Sequence, residues 1–578
     1  YLASPKPVFL REGARFYAGD VCFETEVEEQ TPGGRIRLGV SEGREGSVSI
    51  DGRQLPYDGR LRFYPFGRRP EPGNVFYLCM ENPFISGIRY RLSVLLYDGY
   101  AVRRNRIEEN MPVCLTDVEA EVLTDSGWSS VSVMSDETQG FLQSGRIEMR
   151  VSGRMKKAEM YGGAGYWLRF VLKDGEYDVA PAITGISASH ICLCQRKTRA
   201  ASCHVKAEKD ERGRILCRNQ LSLTDKNIHF YRRIGARYYP YDSVMKEMGD
   251  DERMRFILGS DAQEGDTFFI TASDPECDDR LEIEATGFPD QEYPIEESFL
   301  IPSRFGILVE DILEPGAFRR WERVEDFDSS KPDSLHYVLD SESRTLRFGN
   351  GIHGMIPEGN IRITDLCFTM GKQGNVRSHQ ITAADSELSG VRIVSFMDAS
   401  GGCDRENAQN CFKRFCRQME KSDRAVSAQD YERLVRQVPG LMIQSCRVMD
   451  DSDNSCVRIA VRPFSEGGKA SLSEAYRKNI EIYLDKRRLI GTKIVILPPE
   501  YVEIRVYAEV RIQGHYLEAR ETVEREIRQF FREQEQEFGK AVLRGRLYGR
   551  IDSLSCAEEL MTLNIEARGD RINRSKSG

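Results

Sequence analysis

Gly349-Asn350-Gly351-Ile352-His353-Gly354 satisfies G-x-G-x-x-G and follows a strand-like run, Thr345-Leu346-Arg347-Phe348. A dinucleotide site needs a helix next, because the free amides of a helix N-terminus hold the pyrophosphate. The chain instead continues Met355-Ile356-Pro357-Glu358-Gly359-Asn360 into another short run, Ile361-Arg362-Ile363. The acidic residue expected about twenty positions on is missing, since that region reads Gly371-Lys372-Gln373-Gly374-Asn375. The motif is therefore a glycine-rich turn between strands, and it directs the fold toward antiparallel β structure rather than βαβ winding.

The surrounding sequence agrees. Val21-Cys22-Phe23-Glu24-Thr25-Glu26-Val27, Arg35-Ile36-Arg37-Leu38-Gly39-Val40, Tyr90-Arg91-Leu92-Ser93-Val94-Leu95 and Arg146-Ile147-Glu148-Met149-Arg150-Val151 alternate apolar and polar residues. Period two places one face of a strand on a core and the other in water. Pro32-Gly33-Gly34, Asp51-Gly52, Asp58-Gly59, Asp98-Gly99 and Asp174-Gly175 supply turn chemistry between such runs. The N-terminal two-thirds is expected as antiparallel β sandwiches in a multidomain chain. We divide it into β-rich domains at 1–112, 113–195, 196–300 and 301–400, the last holding the Phe348-Gly349-Asn350-Gly351 turn.

After Asp398-Ala399-Ser400-Gly401-Gly402 the pattern changes. Between Asp404 and Lys421, Ala408, Phe412, Phe415 and Met419 recur at helical spacing and form one apolar stripe. Such a stripe fits packing within its own domain or docking into a bundle shared with a partner, which makes these four the candidate partner interface. Ser427 can cap a second helix and Asp430 can answer it three residues later. That helix runs through Tyr431, Leu434 and Val435 and stops near Pro439-Gly440. Strand Val457–Val461, a helix around Leu472, Tyr476, Ile480 and Leu484, strands Lys493–Leu497 and Val502–Ile512, and a helix carrying Ala519, Val523, Ile527, Phe530 and Phe531 follow. The last third is thus expected as α+β with amphipathic helices, in units 401–499 and 500–578, most simply with helices on one face of an antiparallel sheet.

Lys and Arg number 82 against 91 Asp and Glu, a net charge of −9. That balance argues against a life on nucleic acid. The clusters Arg103-Arg104-Asn105-Arg106 and Lys486-Arg487-Arg488 read as solvated patches or protein contacts. No run approaches the ~18 apolar residues of a membrane-spanning helix, and Tyr1-Leu2-Ala3-Ser4-Pro5 lacks signal-peptide character. Fifteen scattered cysteines without C-x-x-C suit reduced, mostly buried thiols of a cytosolic protein rather than zinc ligands or a disulfide framework.

No local motif proposes a reaction, a metal or a cofactor, so the chain is expected not to be an enzyme. The acidic loop Asp450-Asp451-Ser452-Asp453-Asn454-Ser455 lacks a calcium loop's glycine and closing glutamate. Gly467-Gly468-Lys469 lacks the upstream glycine and the hydroxyl residue of a phosphate loop, and the seven histidines show no ligand spacing.

Five stretches, in order, resemble the baseplate J-like wedge proteins of contractile phage tails and contractile injection systems. They are Phe63-Tyr64-Pro65-Phe66-Gly67 leading to Phe76-Tyr77-Leu78; Gly165-Tyr166-Trp167-Leu168-Arg169-Phe170; Trp321 through Leu346-Arg347-Phe348-Gly349-Asn350-Gly351 to Gly374-Asn375-Val376; Asp423-Arg424-Ala425-Val426-Ser427-Ala428-Gln429-Asp430-Tyr431-Glu432 with Val438-Pro439-Gly440; and Phe538-Gly539-Lys540-Ala541-Val542 with Leu547-Tyr548. The fourth is the most specific. Cys367-Phe368-Thr369-Met370-Gly371 is less glycine-rich than the family pattern, and 196–300 matches none of it, which marks that segment as a β-rich insertion of unknown role.

The resemblance implies a structural subunit of a six-fold plate with no active site. It implies a second wedge protein, a small sheath-initiator wedge protein, hub and spike components and neighbouring wedges as partners. It implies no nucleic acid and no membrane insertion. It also implies coupling of plate rearrangement to sheath contraction, with assembly in the bacterial cytoplasm and residence in the tail or injection particle. The competing reading is a tail-associated β-sandwich module for surface-sugar recognition or fibre attachment, which clustered exposed aromatics would favour. A third is a sandwich-based carbohydrate-active enzyme, which needs paired carboxylates that the sequence does not indicate.

Overall fold

The computed structural model describes residues 2–568 apart from 45, 108–114, 219–220, 222–226, 249–253, 297–298, 342, 386–390, 420–422, 450–455, 467–468, 513, 515–517, 535–537 and 539–540. The calcium-like loop and most of the Gly467-Gly468-Lys469 stretch therefore lie outside the described residues. The chain is multidomain and strand-rich, and among the described residues all five α-helices lie beyond residue 407. Two compact units emerge, and each is assembled from separated segments. One comprises 1–35, 81–92 and 187–407; the other comprises 36–80, 93–186 and 408–578.

In the first unit an eight-stranded antiparallel sheet runs in the order Lys197–Lys206, Thr267–Ser273, Asn227–Ile234, Arg237–Pro240, Phe318–Arg320, Leu300–Glu310, Asn360–Phe368, Glu282–Glu284. Part of the first strand also pairs with Asn360–Phe368, so the sheet curls back on itself and shields edges that would otherwise be open. Residues 196–300 thus contribute strands to the same sheet as Asn360–Phe368, the strand that follows the Gly349–Gly354 turn. A smaller sheet of Glu292–Pro294, Thr345–Phe348, His336–Asp340 and Glu322–Val324 meets it over a core of Phe305, Ile307, Trp321, Tyr337, Phe348 and Ile361. Trp321 and Phe348 pack edge to face with centroids 5.4 Å apart, the favoured aromatic geometry.

In the second unit Val75–Met80 and Gly163–Gly175 are the central strands of a seven-stranded sheet. Phe66, Phe76, Phe141, Phe170 and Tyr177 pack on one another beneath it. Trp167 is fully buried and its indole N–H donates to the Ala158 carbonyl at 3.0 Å. Each such side chain removed from water contributes about 1.5–3 kcal/mol, which is why these positions read as core.

The C-terminal third of that unit is α+β. Helix α1 spans Ala408–Met419, α2 Ala428–Arg436, α3 Glu474–Asp485, α4 Ala519–Gln534 and α5 Arg544–Asp552. The sheet associated with α2 and α3 departs from the all-antiparallel expectation. Ile443–Met449 and Cys456–Pro463 are antiparallel, but Lys493–Leu497 lies parallel to Cys456–Pro463. The reason is the connection: α3 lies between those two strands and carries the chain back to the starting end, as a parallel pair requires. A separate two-stranded antiparallel sheet, Glu503–Ile512 with Ala557–Arg568, belongs with α4 and α5. Among the described residues no helix is long and apolar enough to cross a membrane.

Candidate assembly interface

Helix α1 has the sequence AQNCFKRFCRQM, and none of its residues is buried. At 100° per residue Ala408, Phe412, Phe415 and Met419 share one side, with Lys413, Arg414 and Arg417 on the other. Phe412, Phe415 and Met419 are 67%, 54% and 71% exposed. The stripe is therefore not core packing within the chain. An isolated helix of about 12 residues is marginal in water, and three large apolar side chains left in solvent add no stability. The arrangement is an amphipathic helix whose apolar side is open to solvent.

Helix α2, nine residues later, is its opposite in every respect. Ser427 caps it: the Asp430 amide donates to the Ser427 hydroxyl, and the Ser427 amide donates to the Asp430 carboxylate at 2.9 Å. The Ser427 backbone amide and then its side chain hold the Asp430 carboxyl below the ordinary aspartate range. Tyr431, Leu434 and Val435 are buried in a core shared with Tyr476, Ile480 and Leu484 of α3 and with Ile459 and Ile496 of the sheet.

The turn after α2 is locked from a distance. Gly440 adopts φ +74°, a conformation that favours glycine, and its amide donates to the Asn105 carbonyl at 3.0 Å. The Asn105 side-chain amide donates to the Arg436 and Val438 carbonyls, closing the helix end. Arg104 donates to the Gly440 carbonyl at 2.7 Å and grips Asp178 with both terminal nitrogens at 2.6 and 2.9 Å. The Tyr476 hydroxyl donates to the same carboxylate at 2.5 Å while accepting from the Met442 amide at 2.9 Å. Burial opposes the Arg104 charge, yet the Asp178 carboxylate outweighs it and raises the arginine above its usual value. Burial and then the Asp178 charge push the Tyr476 phenol well above its ordinary range. This network fixes where α2 and α3 sit on the β strands of their own unit.

The other singled-out positions are structural. Pro65 and Phe66 are buried, and Gly67 turns at φ +75°. Phe348 and Gly349 are buried; a Cβ on Gly349 would lie 2.4 Å from the Gly354 carbonyl carbon, so only glycine closes that loop. Gly351 sits at φ +83°, and the Asn350 side chain accepts from the Ile352 and His353 amides. No helix follows, and the next regular element is Asn360–Phe368, as the turn reading requires. Tyr431, Pro439 and Gly440 are buried in the α2 region, whereas Arg424 is exposed.

The basic clusters need correcting in part. Arg103 and Arg106 are solvated, but Arg104 and Asn105 are the lock just described. Arg487 stacks over Tyr483 at 3.8 Å and Arg488 pairs with Asp485, so that cluster makes intrachain contacts. Of the described cysteines seven are buried, while Cys192, Cys403 and Cys411 are exposed. Among the described residues no group of three or more His, Cys, Asp or Glu is placed to hold a metal ion.

No protein-family model matches this chain, and no curated protein matches it. Among solved structures, a chain of the 6-fold symmetrised cryo-EM structure of the anti-feeding prophage baseplate is similar over 64% of this chain and 72% of that one. Its identity is 10% and its TM-score 0.27. A chain of the type VI secretion system TssK-TssF-TssG baseplate subcomplex is similar over 86% of this chain and 87% of that one, at 8% identity and a TM-score of 0.30.

Proposed function

We propose that the chain is a structural wedge subunit in the baseplate of a contractile injection machine, assembling through α1 with a helical segment of a second wedge protein around a central hub. The carrying observation is α1 itself, an amphipathic helix with no buried residue, followed in sequence by a helix whose Tyr431, Leu434 and Val435 are all buried. The five ordered sequence stretches supply the word wedge. The basic side formed by Lys413, Arg414 and Arg417 suits a partner with acidic flanks. Contact with a sheath-initiator protein and coupling to sheath contraction belong to the same reading, since rigid β modules transmit displacement and a docked helix can change partners.

The test is assembly. Phe412→Asp and Phe415→Asp should each leave the chain folded, because both side chains are exposed, and should strongly reduce its incorporation into purified particles and its co-purification with a second wedge protein. Unchanged incorporation would refute the assignment of α1.

One observation favours the second reading, a tail-associated binding module. Tyr97, Tyr100 and Phe464 form a half-exposed chain of rings at 5.0 and 5.8 Å, with the Arg62 guanidinium 3.3 Å over Tyr97. Saccharide binding on a glycan array that Tyr97→Ala abolishes would move the assignment there.

A further inference from the structure

The last module places a regular strand at an open edge. Glu503–Ile512 pairs on one side with Ala557–Arg568, and among the described residues neither strand has another neighbour. The two edges are not alike. The register skips Met561 and Glu558, so both bulges lie on Ala557–Arg568, while Glu503–Ile512 runs without interruption. Bulges blunt an edge against further pairing. One edge of this sheet is thus protected and the other is not.

The unprotected strand is also incompletely covered. Ile504, Val506 and Val510 face the helices but are only half-buried, and Ala508 and Ile512 on that face are exposed. A two-stranded sheet is marginal by itself, and further strands with a shared apolar face are what stabilise it. On the opposite face lie Glu503, Arg505, Tyr507, Glu509 and Arg511, and Tyr507 is 54% exposed.

That face has a property that selects the occupant. Place a second copy of the strand antiparallel to the first, with Tyr507 opposite Tyr507. Glu503 then faces Arg511 of the copy and Arg505 faces Glu509, each twice by symmetry. On the other face Ile504 meets Val510 and Val506 meets Ala508. Every cross-strand pair is either oppositely charged, apolar or aromatic, the combinations that stabilise neighbouring strands. A shift of one residue would destroy all of them. The existing ion pairs do not obstruct this: Arg505–Glu503 and Arg511–Glu559, at 3.3 and 2.8 Å, are solvent-exposed, and such pairs exchange partners at little cost.

We infer that this edge is a self-association site: two copies of the chain pair through Glu503–Arg511 about a two-fold axis at Tyr507, joining their two-stranded sheets into one of four strands with both sets of helices on the same face. The contact is isologous, with each residue meeting its complement's copy, and the backbone ladder supplies affinity while the charges set register. It stands apart from α1 and from the wedge reading, and it holds or fails whichever machine the chain serves.

The experiment uses the full chain. Sedimentation velocity over a concentration series should show a monomer–dimer equilibrium. Arg505→Glu and Glu509→Arg should each weaken the dimer at least tenfold, and the double variant, which restores the opposite charges, should return to within about threefold of the parent. Opposed residues in an antiparallel pair lie about 4.5–5.5 Å apart at Cα, within disulfide reach. Tyr507→Cys should therefore yield a 507–507 disulfide on mild oxidation, identified by peptide mass. Glu503→Cys should not, because its own copy lies about 27 Å along the strand. A chain that stays monomeric, dimers indifferent to the single charge reversals, or a double variant as weak as the singles would overturn the proposal.

Discussion

Asp178 is the residue whose removal should do the most damage for its size. Its carboxylate holds two Arg104 nitrogens and the Tyr476 hydroxyl, and its side chain is almost wholly buried beside a largely enclosed arginine. Asp178→Ala leaves a guanidinium without its counter-ion away from water, a loss of about 3–5 kcal/mol. The stranded Tyr476 hydroxyl alone would add about 1–3 kcal/mol, but the two losses share one partner and do not sum. A net cost near 4 kcal/mol is roughly a thousandfold in the opening equilibrium of the α2–α3 region. Hydrogen exchange followed by mass spectrometry reads this directly: peptides of Ala428–Arg436 and Glu474–Asp485 should lose about three orders of magnitude in protection. Peptides of Asn360–Phe368, in the other unit, should not change. The companion variant carries Arg104→Met, Asp178→Leu and Tyr476→Phe together; replacing the whole network by apolar side chains should restore most of the protection, because buried ion pairs seldom outperform well-packed hydrophobes. A loss below tenfold for Asp178→Ala, or a triple variant worse than the single one, would refute the account.

Three other outcomes follow from geometry. Ser427→Ala removes the α2 cap and should cost about 1 kcal/mol in thermal or chemical unfolding. Because the Asp430 pKa is depressed in the folded chain, its contribution should be fully present above the ordinary aspartate value of about 3.9. It should fade as pH falls through the lower folded value; α2 exchange followed between pH 5 and pH 2, as about the accessible range, checks the sign. Trp167→Ala empties a fully enclosed site in the seven-stranded sheet and should cost about 3–5 kcal/mol by denaturant titration.

The parts of this fold that depend on neighbours in sequence were legible, and those that depend on distant partners were not. Alternation betrayed the strand at Arg146–Val151 because one face of an antiparallel sheet stays wet; it also marked Val21–Thr25, but there the polar face is enclosed, with Glu24 buried against Arg15 and Arg196. The capping box at Ser427 and Asp430 is a four-residue device, and it was readable as one. The apolar stripe of α1 was equally plain, but whether its neighbours lie inside or outside the chain is not written in its spacing; only its exposure separates the two. Arg104 was hidden within a basic run because its partners, Asp178 and Gly440, stand 74 and 336 positions away. The parallel pairing of Lys493–Leu497 was missed for a related reason: strand direction follows from where α3 delivers the chain, not from strand composition.

The segmental make-up of the two units carries a consequence for biosynthesis. One unit needs residues 1–35 as well as residues up to 407, and the other needs 36–80 as well as segments beyond 408. Ribosomes deliver roughly 5–20 residues per second, so the first strands wait on the order of 20–80 s for the partners that complete their sheets. Neither unit can close as an early, self-contained block on the nascent chain. During that interval Leu2–Ala3 and one side of Arg15–Ala18 stand open, because their partners Arg392–Ile393 and Ala383–Ala384 are made last, which makes the chain a natural client of holdase chaperones and makes its yield sensitive to translation rate.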